Sequence, residues 1–325
     1  MMIAKNNFSQ SNTSQTSHNA RAIIINVDDL GLSGAVNDAV IGLAERGRIG
    51  ASSYMAGGAI TDGDIRKLAE LNVDIGLHLD LTGVFPSALH GSLNSVIVAS
   101  YLRRLNAKQV TEVIKQQLDG FEDRFGRAPI FIDGHQHIHQ FPIIRQSLIN
   151  ELNTRYSDGS QNSISARITT PLVNDFKSWV IYALGGRAWR TLCKKNHIAT
   201  NDQFGGVYGF DANVQQLAVL WENWLKNAPR TQYLAPALHT QLFAIESLGT
   251  YAQYGSTIPA IHSVPNALPN NLTPTLIMCH PAVPANNWQD EIKTAREREH
   301  EWLMSHQFEQ LLQQYDVRLV RWSEY

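Results

Sequence analysis

The residues able to do chemistry in this 325-residue chain fall into four clusters. They are Asp28-Asp29, His78, the run Asp133-Gly134-His135-Gln136-His137-Ile138-His139, and His280-Pro281. Adjacent side chains on an extended chain point to opposite faces, so a carboxylate doublet offers one group to a cation and leaves its neighbour for another task. A cation that acidifies water beside a free carboxylate is the requirement of metal-assisted hydrolysis. The plainer reading is that Asp29 caps the following helix or that both are turn residues. His78, between Leu77 and Leu79, is either a ligand or a hydrogen-bonded core histidine. The three closely spaced imidazoles are sharper. On an extended chain His135, His137 and His139 share one face and converge on a polar site, whereas on a helix i and i+2 diverge by about 200°. Gly134 is read as the point where the chain turns after Ile132. His280 follows an apolar run and is a candidate proton donor or a histidine packed at a strand end.

These clusters need a scaffold that brings distant segments to one place. Ala22 to Val27 is a short apolar run rich in β-branched residues, the pattern of a strand buried on both faces. After a turn at Asp28–Gly34, Ala35, Val36, Ala39, Val40 and Leu43 recur at helical spacing. Strand and helix alternate from there. Strands are expected at Val73–His78, Pro129–Ile132, Ala166–Thr169, Leu276–Cys279 and Val317–Val320. Helices are expected around Ile65–Leu71, Lys108–Phe125, from Pro142, and after an N-cap at Asp211. The run from Glu291 to Glu301 reads as the solvated face of a helix, and Trp221 with Trp224 as core. Apolar strands alternating with helices predict an α/β fold: a (β/α) barrel-like single domain over residues 21–325 with mainly parallel strands. Residues 1–20 read as a disordered tail, and 235–274, proline-rich and weakly periodic, as a long loop or insertion. In parallel α/β folds, chemistry gathers at the C-terminal ends of the strands, and all four clusters fall there.

Composition removes other classes. With 27 basic against 29 acidic residues, the chain carries no basic footprint for nucleic acid or an anionic membrane. Two cysteines, Cys193 and Cys279, are too few for a disulfide scaffold or a cysteine-rich metal cluster. No run approaches the ~18 apolar residues of a membrane span, and the first twenty residues hold no secretory apolar core, so the expectation is a cytoplasmic protein. Gly31 and Gly34 alone do not make a dinucleotide fingerprint.

The sequence resembles the YdjC-like carbohydrate deacetylase family, which includes chitooligosaccharide deacetylases and hopanoid-biosynthesis relatives. The resemblance rests on Asn26-Val27-Asp28-Asp29-Leu30-Gly31-Leu32-Ser33, on Gly76-Leu77-His78-Leu79, and most strongly on Ile132 through Pro142. Asn201-Asp202-Gln203-Phe204-Gly205-Gly206 and Met278-Cys279-His280-Pro281 match more weakly. It implies a barrel-like hydrolase that removes N-acetyl groups from an amino sugar or oligosaccharide with one divalent metal, Mg2+ in the family's usual description. By position, Asp29, His78 and His135 would hold that metal, Asp28 would be the general base and His280 the general acid. Asp133 would fix an imidazole through its second nitrogen. His137, His139 and Asp202 would lie in the surrounding shell or near substrate. Loop amides at Leu30 and Gly31 are candidates to stabilise an oxyanion, and Phe85, Phe204, Tyr208 and Trp288 to stack on sugar. Two imidazoles and a carboxylate also suit Zn2+. The resemblance further implies a homodimer. The alternatives are another metal-dependent hydrolase, a phosphoesterase or amidohydrolase, or a non-catalytic sugar-binding protein on the same fold. Amidohydrolases usually carry His-x-His after the first strand, whereas here it follows the third expected one.

Overall fold

The apolar run at Ala22 becomes the middle of β1 (Ser17–Leu30), about which the sheet is organised in this computed structural model. The structure describes residues 17–84, 89, 91–156, 164–234, 273–286 and 288–324. After β1 come α1 (Gly34–Glu45), β2 (Ala51–Tyr54), α2 (Asp62–Glu70), β3 (Asp74–Leu79), α3 (Leu93–Tyr101) and α4 (Ala107–Phe125). Next are β4 (Phe131–Gly134), α5 (Ile144–Tyr156), β5 (Ser165–Ala166), α6 (Phe176–Ile181), α7 (Arg187–Lys195) and β6 (Phe204–Gly205). The chain continues through α8 (Val214–Asn227), β7 (Thr231–Leu234), β8 (Thr275–Cys279), α9 (Lys293–Met304), α10 (His306–Gln314) and β9 (Val317–Leu319).

The strands run β5-β4-β3-β2-β1-β8-β6, all neighbours parallel; β9 pairs parallel with β1, and β7 antiparallel with its first residues. The outermost strands curl towards each other. Phe204 N–H donates to Thr170 O at 2.7 Å and Leu172 N–H to Phe204 O at 2.9 Å. The buried Asn201 side chain joins the same seam: it accepts from Ile168 N–H at 2.8 Å and donates to Ile168 O at 3.0 Å. The result is the expected barrel-like core of parallel strands with helices around it.

Strand alternation sorts the side chains. Ile23, Ile25 and Val27 pack outwards against the helices with Leu43, Leu77 and Ile132. Ala22 and Ile24 face inwards with Ala51, Phe131, Phe204, Leu276 and Met278 and make an apolar floor. A Cβ on Gly76 would lie 2.6 Å from the Phe131 ring, so glycine there makes room for that floor residue. Phe131 in turn stacks on Trp322 with ring centroids 5.0 Å apart. Continuing up the same inward positions, the residues become Asn26 and Asp28 on β1, His78 on β3, and Asp133 on β4. Arg167 follows β5 and His280 follows β8 on the same inward alternation.

Several expectations need correction. β2 falls between Gly47 and Ile65, where the sequence reading places no element, because Ser52 and Ser53 hide it from an apolar count. Both serines are buried, and the Ser52 hydroxyl donates to Val27 O at 2.8 Å. The cap of α8 is Asn213, in a capping box with Gln216, not Asp211. Asp29 caps nothing; Ser33 caps α1. β1 starts at Ser17, inside the stretch read as tail, while residues 1–16 and 235–272 lie outside the described residues. No helix among the described residues is long and apolar enough to cross a membrane.

Candidate active site

β1 does not end as a regular strand. Its register against β2 shifts between Val27 and Leu30, and Asp29 adopts φ +69°. A bulge of this kind re-aims a side chain at a strand end. Alternation would have sent Asp28 and Asp29 to opposite faces; the bulge brings both to the barrel mouth.

Asp29 Oδ1 lies 3.2 Å from His78 Nε2 and 3.1 Å from His135 Nδ1. Donor atoms of these three side chains all lie within 4.8 Å of one another, so they could share a metal ion. What surrounds them fits that use. The second nitrogen of His78 meets Asp133 Oδ1 at 2.6 Å, which leaves Nε2 facing Asp29. A ligating histidine held through its other nitrogen by a carboxylate is the common supporting arrangement in metal sites. The second oxygen of Asp29 accepts from Arg296 Nη2 at 2.7 Å, and the same guanidinium reaches Asp290 at 2.6 Å. Asp28 faces a different partner. Arg167, fully buried, donates to its two oxygens at 2.7 and 2.5 Å and lies 2.5 Å from Asp133 Oδ2. Asn26 Nδ2 adds a hydrogen bond to Asp28 Oδ1 at 2.7 Å.

These contacts set the charges. Burial alone would raise the carboxyl of Asp28, but the charge and hydrogen bonds of Arg167 outweigh it and hold Asp28 well below the ordinary carboxylate range. For Asp29 burial is likewise outweighed, first by Arg296 and then by His135. His78 runs the other way. Burial would lower it, yet Asp133 and Asp29 push it up to about 10. Four carboxylates, Asp28, Asp29, Asp133 and Asp290, meet two guanidinium groups here, and a protonated His78 offsets part of the surplus negative charge.

The His135–His139 run is not extended. It forms a 3₁₀-like turn over His135–Gln140 in which Gln136 and His137 take left-handed conformations, with φ of 52° and 60°. The imidazoles therefore part company. His135 reaches Asp29; His137 is half-buried, edge-on against Phe204 with 5.4 Å between centroids; His139 lies 3.2 Å from Arg167 O through Nε2. Burial drives His137 well below its usual range and His139 down to about 4, so both are neutral. Gly134 is extended at φ −161°, and its role is space: a Cβ there would press on His139 at 3.0–3.1 Å.

His280 Nε2 stands 3.8 Å from Asp28 Oδ2, too long for a hydrogen bond, with the imidazole edge-to-face on Phe210. The side chains of His135 and His280 are 19% and 13% exposed, against 1–3% for Asp28, Asp29 and His78, so solvent reaches the cluster along these two. The other candidates are elsewhere. Asp202 is two-fifths exposed and lies 3.9 Å from Arg190, with no contact to the cluster among the described residues. Phe204 is floor, beneath His137 and Arg167, and cannot stack on a ligand. Gly31 N–H is already taken by Asn37 Oδ1 at 2.8 Å. Phe85 lies outside the described residues.

The sequence reading missed Arg167, Arg296 and Glu299. The last two sit on the run read as solvated, yet each is only 2% exposed. Glu299 accepts from His280 N–H at 2.5 Å and from the Tyr208 hydroxyl at 2.6 Å. A family model described as YdjC-like protein matches residues 22–314. The chain belongs to the YdjC-like family. Among solved structures, this YdjC-like chain is similar to a protein from Enterococcus faecalis V583 proposed to cleave cellobiose phosphate. The TM-score is 0.59 at 15% identity, over 94% of this chain and 98% of that one. A T48 deacetylase solved with its substrate matches more loosely, with TM-score 0.39 and 8% identity over 94% and 90% of the two chains. The first likeness supports the fold; the second carries no argument.

Proposed function

We propose that this YdjC-like chain hydrolyses the N-acetyl amide of an amino sugar, giving acetate and a free amine. The observation that carries the reading is the convergence of Asp29, His78 and His135, from three separate strand ends, beside Asp28 and His280. Resemblance to the family supports the substrate class. A divalent cation held by Asp29 Oδ1, His78 Nε2 and His135 Nδ1 would supply Lewis acidity to an amide carbonyl and to water. Family resemblance favours Mg2+; the two nitrogen donors favour Zn2+.

The protein's own groups divide the remaining work. Asp133 holds His78 so that Nε2 stays turned to Asp29. Asp28, kept ionised by Arg167, accepts the proton of the water that attacks the acetyl carbon. The grip of Arg167 makes Asp28 a weak base that releases the proton readily. His280 Nε2, across a 3.8 Å gap from Asp28, donates a proton to the sugar nitrogen as the C–N bond breaks. The neutral His137 and His139 complete the wall behind Arg167 without adding charge.

The fold neighbour's proposed cleavage of a sugar phosphate supplies the competing substrate class. Acetate and phosphate release should be measured side by side, with N-acetylglucosamine and its dimer against sugar phosphates, and with divalent ions supplied or chelated. Acetate and free amine in equal amounts, dependent on the ion and lost in His280→Ala, support the proposal. Phosphate release alone overturns it.

A further inference from the structure

Phe210 carries a backbone strain. It adopts φ +61°, a left-handed conformation rare for any residue with a side chain and an outlier for a bulky one. Glycine or asparagine would hold this position at lower cost. Such strain persists where the surroundings enforce it, and it clusters at ligand-binding positions. Phe210 is half-buried while its neighbours Gly209 and Asp211 are exposed. Its ring stands edge-to-face with His280 at 5.3 Å between centroids and tilted on Tyr208 at 5.0 Å. Both neighbours are tied down, because Glu299 accepts from His280 N–H and from the Tyr208 hydroxyl. A rigid aromatic group is thus fixed beside the imidazole at the open side of the cluster. The aromatic nearer the centre, Phe204, is buried in the floor.

We infer that Phe210 is the aromatic wall of the sugar subsite: its ring packs against the apolar face of the pyranose whose amide nitrogen His280 serves. The inference rests on the deacetylase reading for the identity of the sugar. Pyranose rings carry axial C–H groups on one face, and a ring fixed next to the proton donor orients that face without competing for its polar groups. A residue that merely filled space would be more stable as glycine at this backbone geometry.

The test uses the full chain and the dimer of N-acetylglucosamine, with binding followed by saturation-transfer NMR and turnover by acetate release. Phe210→Gly and Phe210→Asn are expected to unfold within about 3 °C of the parent, since the lost contact is offset by relieved strain. They are expected to raise KM and Kd about tenfold with a smaller change in kcat, while Phe210→Tyr restores both constants. Unchanged KM in a folded Gly or Asn variant, or no rescue by tyrosine, overturns the inference. So does failure of the parent chain to bind the sugar at all. Binding without acetate release, with Phe210→Gly losing the binding, upholds the subsite and refutes the deacetylase reading alone.

Discussion

The floor and the mouth of the barrel are built from the same strands in the same alternation, yet they are held together by opposite means. Below, Ile24, Phe131, Phe204, Leu276 and Met278 close the interior by packing. Two steps higher on the same inward faces stand Asp28, Asp133 and Arg167, none more than 2% exposed. The floor gains from leaving water; the mouth loses by it and is stable only because each charge has a partner. The difference shows how a fold can hold charged groups that its hydrophobic core could not tolerate: the packed floor provides the rigidity, and an ion network that ends at the solvent edge pairs the charges.

The comparison breaks most sharply at Arg167. Arg167→Met leaves Asp28 and Asp133 buried without their shared cation, and a loss of about 3–5 kcal/mol in denaturant unfolding is expected. Replacing both carboxylates by asparagine in the same chain should recover much of that stability and none of the activity. Acid should act next. His139 titrates at about 4 when folded and near 6.5 when unfolded, so its contribution is present above 6.5 and lost as pH falls through about 4. His139 alone should cost about 3 kcal/mol over that window in stability measured against pH, and His137 shifts the same way. His78, raised to about 10, has the opposite sign: its contribution is full below 6.5 and lost as pH rises towards 10. A smaller effect is expected in the floor, where Gly76→Ala forces a Cβ into the Phe131 ring and should cost about 1–3 kcal/mol through overpacking. Smallest is Asp202→Asn, on an exposed ion pair at 3.9 Å. It should stay within about 0.5 kcal/mol of the parent and keep its activity.

How much of this was legible depended on whether a residue followed a periodic pattern. β1, β3, β4 and β8 announce themselves as apolar runs, and Asp28, Asp29, His78 and His280 follow as the polar residues where those runs stop. β2 does not, because buried serines that bond to a neighbouring strand look like loop. The turn at His135 was unreadable for another reason. Left-handed φ at Gln136 and His137 is imposed by the packing of His137 on Phe204 and of His139 near Arg167, not by their own preferences. Arg296 and Glu299 were visible in principle. Ala295, Arg296, Glu299, Trp302 and Leu303 share one helical stripe, and charges on an apolar stripe mark a buried pair rather than a solvated face. Arg167, inside the apolar pattern Ala166-Arg167-Ile168, carried the same signal.

The central claim is that Asp29, His78 and His135 hold one divalent ion between them. Metal content per chain, measured on the purified parent and on Asp29→Ala and His78→Ala variants shown to be folded by circular dichroism, tests it most directly. One ion in the parent and none in either variant is the expected result; ion content unchanged by both substitutions, or no ion taken up by the parent from Mg2+ or Zn2+ solutions, would contradict it.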